Sequence, residues 1–321
     1  MAENTNITKE EQLKKLSVIS LLRSILPTVG LVVVFVVFNL LTNGAMISKL
    51  PLIMSQVYVL LIASTGVFFI MTMGGLDFSQ GSLLGICSIV VCLVSKVNIA
   101  LSVVAGIAAG AAFGALNGFF YVNRKIKSFI VTICTMFLFR GIIKYLTSSA
   151  PVSGDLMGMM KLNTDPVKVT CTVIVLVAAF AAFHFTKFGI YLKAIGAGEK
   201  AAKFAGIRTD RMKFLVYVLA GAITGFAAFI NAIKVLSVTA SGGNQLETQI
   251  LIALVLGGMP ISGGAKSKFI SVIIGSLMYI ILINGLNMMG LSTQALQLIQ
   301  GVVFLVFVAV FADRQSLQVI K

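Results

Sequence analysis

Residues 53–73, IMSQVYVLLIASTGVFFIMTM, carry no charged side chain. A helix needs about 20 apolar residues to cross the hydrocarbon core of a bilayer, so this stretch reads as a membrane span. It is one of a series. Apolar runs recur at 25–42, 53–73, 82–96, 98–122, 129–147, 167–186, 212–236, 247–259, 268–286 and 294–311. They predict an all-α fold, a polytopic membrane helical bundle of about ten transmembrane helices. The predicted layout is an N-terminal segment 1–24, a transmembrane domain 25–311 and a tail 312–321.

Composition points the same way. The 321 residues are 58% apolar and 11% charged, with a mean hydropathy of +1.04. Soluble domains carry about 25% charged residues. This chain has too little polar surface to coat a water-soluble core.

The net charge of +15 and a pI near 9.9 would suggest a nucleic-acid partner in a soluble protein. Here the basic residues mark topology instead. Eighteen of the 25 Lys and Arg fall in or beside 1–24, 123–128, 187–211, 260–267 and 312–321. These pieces share one side if the N-terminus is inside, so the positive-inside rule predicts that both termini are cytoplasmic. The opening MAENTNITKEEQLKK is polar and of mixed charge, and it leads into a run long enough to span. A retained first helix is therefore expected rather than a cleaved signal.

Catalytic chemistry finds no footing. His184 is the sole histidine, so no H-E-x-x-H zinc site exists. Cys87, Cys92, Cys134 and Cys171 lie inside apolar runs without C-x-x-C spacing and read as small buried residues. Gly263-Gly264-Ala265-Lys266-Ser267 lacks the Gly directly before Lys that a phosphate loop requires. No catalytic, metal or cofactor residue is predicted.

The segment 247–259 is short and runs into the Gly/Pro-interrupted GGMPISGG. It reads either as a weak eighth span or as a re-entrant element lining a cavity. Gly74-Gly75-x-x-x-Ser79-x-Gly81 and Gly257-Gly258-x-x-x-Ser262-x-Gly264 share a spacing that hints at duplication, although both would lie on the cytoplasmic side. Asp77 and Ser79 read first as caps of the helix that follows, and Asp77 alternatively as part of a translocation path or a proton-coupling group. Arg140 stands inside an apolar run, where snorkelling to the outer interface is the expected escape.

In the basic loop 187–213, Gly198 and Gly206 punctuate a short helix over Glu199–Ala205. Such a helix could dock in a partner's groove or stay a solvated loop. Among polar residues in or near spans, Gln56, Asn117, Thr135, Asn231 and Asn284 are path candidates, each equally readable as a helix-to-helix hydrogen bond, and Ser79 and Glu247 join Asp77 as further path candidates.

Four segments in order, GGLDFSQGS (74–82), SFIVTICTMFLFRGI (128–142), AIGAGEKAAKFAGI (194–207) and ETQILIALVLGGMPISGG (247–264), resemble the permease subunits of bacterial ABC importers for monosaccharides. The resemblance covers nearly the whole chain. It implies a subunit that pairs with a second permease, identical or paralogous, in the inner membrane. That pair would receive solute from an extracytoplasmic binding protein and dock on a cytoplasmic ABC ATPase, which holds the ATP and Mg.

Carried onto this chain, 194–207 looks like the coupling helix, with Gly196, Glu199, Lys200, Ala201, Ala202 and Gly206 as its coupling positions. Departures at Ser128, Cys134, Gln249 and Met259-Pro260 leave the solute open within the sugar class. A nucleoside or a furanosyl signalling molecule is the alternative within the same fold, and an ion-coupled carrier the alternative outside it.

Overall fold

The computed structural model describes residues 9–311. The predicted tail 312–321 and the first eight residues of the predicted N-terminal segment lie outside the described residues. Helix α1 (Lys9–Leu41) begins well before the expected start at 25, because residues 9–24 hold no Gly or Pro to stop it. A short α2 (Ala45–Ser48) leads into α3 (Leu50–Thr72), followed by α4 (Gln80–Ser95), α5 (Ile99–Asn123) and α6 (Ser128–Leu146). After strand β1 (Val152–Ser153) come α7 (Leu156–Leu162), α8 (Asp165–Phe185), α9 (Lys187–Ala197), α10 (Glu199–Phe204) and α11 (Thr209–Val235). Strand β2 (Ser237–Val238), α12 (Leu246–Leu256), α13 (Ile270–Met288) and α14 (Thr293–Phe311) complete the described chain.

Among the described residues six helices, α3, α5, α6, α8, α11 and α13, are long and apolar enough to cross a membrane. The shorter apolar stretches Ile25–Leu41, α4, α12 and Thr293–Val306 account for the other predicted runs. Among the described residues, six long spans and four shorter apolar stretches thus stand where about ten crossings are expected, and two of the four belong to the longer helices α1 and α14. At 1.5 Å per residue, the 11 residues of α12 rise only about 16 Å, roughly half of a bilayer core. This settles the sequence ambiguity over 247–259 in favour of a half-length helix.

A seam of glycines binds the middle of the bundle. Gly106, Gly110, Gly114 and Gly118 recur every fourth residue on α5, and Gly221 and Gly225 do so on α11. Gly106 lies against Gly225, and Gly118 against Phe214, so the helices run antiparallel. At Gly110 any side chain would collide with the Gly221 carbonyl and stand 2.9 Å from the Gly225 backbone. Backbones this close exchange dispersion over their whole length, which is how helices associate where water supplies no hydrophobic drive.

Two crossings are broken, and they touch. Helix α3 stops at a turn in which Gly74 takes φ +80° and the Gly75 N–H donates to the Ile70 carbonyl. Residues 73–79 then run without helix, and α4 starts only at Gln80. Although predicted as a cytoplasmic loop, this stretch is interior, with Asp77 1% exposed and Ser79 fully buried.

The second break follows α11. Residues 236–245 pass back along α4, from its C-terminal end, where the Asp155 N–H donates to Ser95 Oγ and the Gly154 N–H to the Leu236 carbonyl, toward its start. There Gly242 and Gly243 lie against Gly85 and Gly81, and α12 begins.

The apparent glycine repeat dissolves at the same point. Gly74 is the left-handed stop of α3 and Gly258 that of α12, one register position apart, and they end helices of different kind. The correspondence in the structure is another one: a long helix, an irregular stretch and a short helix, first as α3 to α4 and again as α11 to α12.

Of the four cysteines, Cys87 and Cys92 are buried as expected and Cys171 is half-buried. Cys134 is exposed, because it falls on the outward face of α6.

Candidate functional site

The irregular stretch 73–79 needs partners for its backbone, and the sequence supplies them at set places. Asp77 Oδ1 accepts from the Ser79 N–H at 2.8 Å and from its hydroxyl at 2.6 Å, while Oδ2 accepts from Gln80 Nε2 at 2.6 Å. Ser79 also accepts from Asn117 Nδ2 of α5, and Gln80 Oε1 accepts from the Thr224 hydroxyl of α11. On the α6 side the Leu76 N–H donates to Ser128 Oγ and the Phe78 N–H to Thr132 Oγ1. Asp77 thus organises the turn ahead of α4, close to the expected capping role, and ties it to three helices.

Where the two broken crossings meet, Arg140 donates to Asn244 Oδ1 and to Glu247 Oε1, each at 2.6 Å. The expected snorkelling gives way to an ion pair with a residue 107 positions along the chain. An arginine inside a span costs about 3 kcal/mol on insertion scales, and a paired carboxylate with good geometry offsets that. The second carboxylate oxygen, Glu247 Oε2, is buried without a hydrogen-bond partner and faces Gly81 in the first turn of α4.

The other polar candidates take helix-to-helix or local bonds. Asn284 and Gln56 bond each other across α13 and α3, Asn231 donates to Ser88, and Thr135 bonds back onto its own helix. Thr135 also lies at the edge of an apolar groove of about 490 Å³ between α5 and α6.

At the end of the bundle that carries the basic loop, α9 and α10 form an elbow. The punctuation read from Gly198 and Gly206 is realised: α10 occupies Glu199–Phe204, and Gly206, at φ +85°, closes it. Gly196 rests on backbone alone, with the Thr72 carbonyl at the end of α3 and the Gly264 nitrogen beyond α12 both against its Cα face. The Gly264 N–H itself donates to the Thr72 carbonyl at 2.9 Å. One residue of the elbow therefore touches the end of α3, where the first broken crossing begins, and the turn that follows α12, where the second ends.

A second connection runs through side chains. Glu199 pairs with Lys213, whose ammonium lies 4.9 Å from the centre of the Tyr121 ring. Tyr121 packs edge-on to Tyr217, and the Tyr217 hydroxyl donates to the Leu76 carbonyl, next to Asp77. Ala202 is buried beneath α10, whereas Lys200 and Ala201 are exposed and Phe204 is 93% exposed. Phe204 is not among the sequence-predicted positions; a large aromatic on a short basic helix is the signal that marks it.

The six membrane-length helices among the described residues, with two interrupted crossings joined at buried polar contacts, define a multi-pass membrane protein of the transporter class. The chain belongs to the family described as branched-chain amino acid transport system / permease component, whose profile matches residues 50–308. It is 32% identical over 296 residues to the ribose import permease protein RbsC of Escherichia coli K12, covering 89% of this chain and 92% of the relative. It is 31% identical to RbsC of Bacillus subtilis 168, over 96% of this chain and 99% of the relative. Identity to the galactofuranose transporter permease protein YtfT of Escherichia coli K12 is 28%, over 78% and 75%. No solved structure matches the chain.

Proposed function

We propose that this protein is the membrane subunit of an ATP-driven importer for a sugar or sugar-like solute of the pentose and hexose class. In the bacterial inner membrane, with both termini cytoplasmic, it pairs with a second permease subunit. It receives solute from an extracytoplasmic binding protein and is driven by a separate ABC ATPase that binds the ATP and Mg. The family description speaks of amino acids, but relatives matching 89% and 96% of the chain are named for ribose, which favours a sugar.

The observation that carries the reading is the elbow. Gly196 seats α9 on the end of α3 that leads into the first broken crossing and on the turn that follows the second, while α10 holds Lys200, Ala201 and Phe204 outward. Ala202 anchors α10 from below, Glu199 links it to Lys213, and Gly206 ends it. A partner gripping α10 would move both crossings together, switching access to the path between two states. Asp77, Ser79, Asn117, Thr135, Asn231, Glu247 and Asn284 are the polar side chains proposed along that path.

The test is reconstitution. Purified alone in nanodiscs the chain should hydrolyse no ATP, and with its cognate ATPase and binding protein it should show solute-stimulated hydrolysis. Phe204→Asp should abolish ATPase docking without lowering the unfolding temperature. Sugar uptake that persists with Phe204→Asp and with every disruption of Glu199 and Ala202 would refute the coupling assignment.

A further inference from the structure

The junction of the two broken crossings concentrates positive potential. Helix α4 has its N-terminus there, with Gly81 in the first turn, and α12 begins there at Leu246. Each helix start carries roughly half a positive charge, and Arg140 adds a full one. Half-helix starts of this kind are natural seats for anionic groups of a solute.

In this chain the seat is taken. Glu247, 7% exposed, pairs one carboxylate oxygen with Arg140 and turns the other, unpartnered and buried, onto Gly81 at the start of α4. Beside it Asn244, Gln245 and Thr248 are exposed, and Arg140 is partly so. Exposed polar side chains flanking an arginine within a membrane-length helix do not face lipid; they border water or a passage.

We propose that Glu247 is a charge filter. Its carboxylate, together with that of Asp77 on Ser79 and Gln80 at the start of α4, offsets the Arg140 and helix-start charge, so that the passage admits uncharged polyhydroxyl solutes and turns away carboxylated ones of the same size. This rests on the reading that the chain lines a solute passage. The filter predicts that removing one negative charge converts the junction into an anion site. A unit charge about 4 Å from an anion in a partly shielded setting corresponds to well over tenfold in affinity, leaving about tenfold or more after screening.

The test measures glucuronate binding to the purified full chain in nanodiscs by thermal shift, with glucose as the uncharged control. Glu247→Gln should gain glucuronate stabilisation, with affinity about tenfold or more above wild type. The Arg140→Gln/Glu247→Gln double variant should lose it again. Asn244→Lys, at an exposed position, tips the same balance and should gain binding even if Glu247→Gln fails to fold.

Equal glucuronate binding in wild type, no gain in either single variant, or a gain that survives in the double variant would overturn the filter. Uptake of neutral pentoses and hexoses by the wild-type complex is measured alongside. Its absence would count against the sugar reading, while the binding series decides on the filter.

Discussion

Gly196→Ala is the smallest change that separates the elbow from the broken crossings. A methyl there would stand 2.6 Å from the Gly264 nitrogen and 3.0 Å from its Cα, and nearer still to the Thr72 carbonyl oxygen. Ordinary contact between such atoms is about 3.5–4 Å, so α9 has to retreat by roughly 1 Å. All three neighbours are backbone and cannot rotate aside. Overpacking of this kind costs about 1–3 kcal/mol, and forcing apart the Gly264 to Thr72 hydrogen bond adds about 1 kcal/mol. The sum is about 2–4 kcal/mol, or a fall of about 4–8 °C in unfolding midpoint at about 2 °C per kcal/mol.

Size-exclusion thermostability in detergent reads that fall, and sugar uptake per ATP hydrolysed in the reconstituted importer reads the coupling. Both should drop. Gly141→Ala is the control, since nothing lies within 4 Å of its Cβ position. If Gly196→Ala kept the wild-type midpoint and the wild-type ratio of sugar to ATP, the elbow would not bear on the crossings as described.

Three further outcomes follow from the contacts. Asp77→Asn turns an amide toward Gln80 Nε2 and should cost about 1–3 kcal/mol in thermal unfolding. Adding Gln80→Glu restores the donor and acceptor order, so recovered stability without recovered uptake would show that the charge at 77 itself matters. Gly110→Ala should lose about 1–3 kcal/mol by the same unfolding assay, because its methyl meets the α11 backbone, and a neutral result would refute the seam. Glu199→Gln, at a side chain 47% exposed, should cost at most about 1 kcal/mol yet reduce uptake more than stability. Equal losses in the two measurements would make the Glu199 to Lys213 pair merely structural.

The bundle was legible because lipid demands length: an uncharged run such as 53–73 has few other fates. The interruptions were not. Residues 82–96 and 247–259 are as apolar as true spans, and only the packing shows that each is the helical part of a broken crossing. Asp77 looked like a surface cap because its segment is short and glycine-flanked. Its burial depends on Asn117, Ser128, Thr132 and Thr224, all far away in sequence.

Arg140 looked solitary for the same reason, with Glu247 on another element. The glycines at 106, 110, 114 and 118 were the opposite case, a plain fourfold stripe whose meaning as a packing face could have been read directly. The elbow was legible through its punctuating glycines, but its seating through Gly196 was not, since nothing local marks a backbone-only contact.

The half-length of α12 also bears on how the chain is made. An 11-residue helix is too short to be released into lipid as a span of its own, and its irregular approach over 236–245 would leave backbone groups bare there. That stretch finds its seat on Gly81 and Gly85, which are synthesised long before it. The order of synthesis therefore suits assembly: α4 and its glycines are in place when 236–256 emerges, and the late segment enters against protein rather than against lipid.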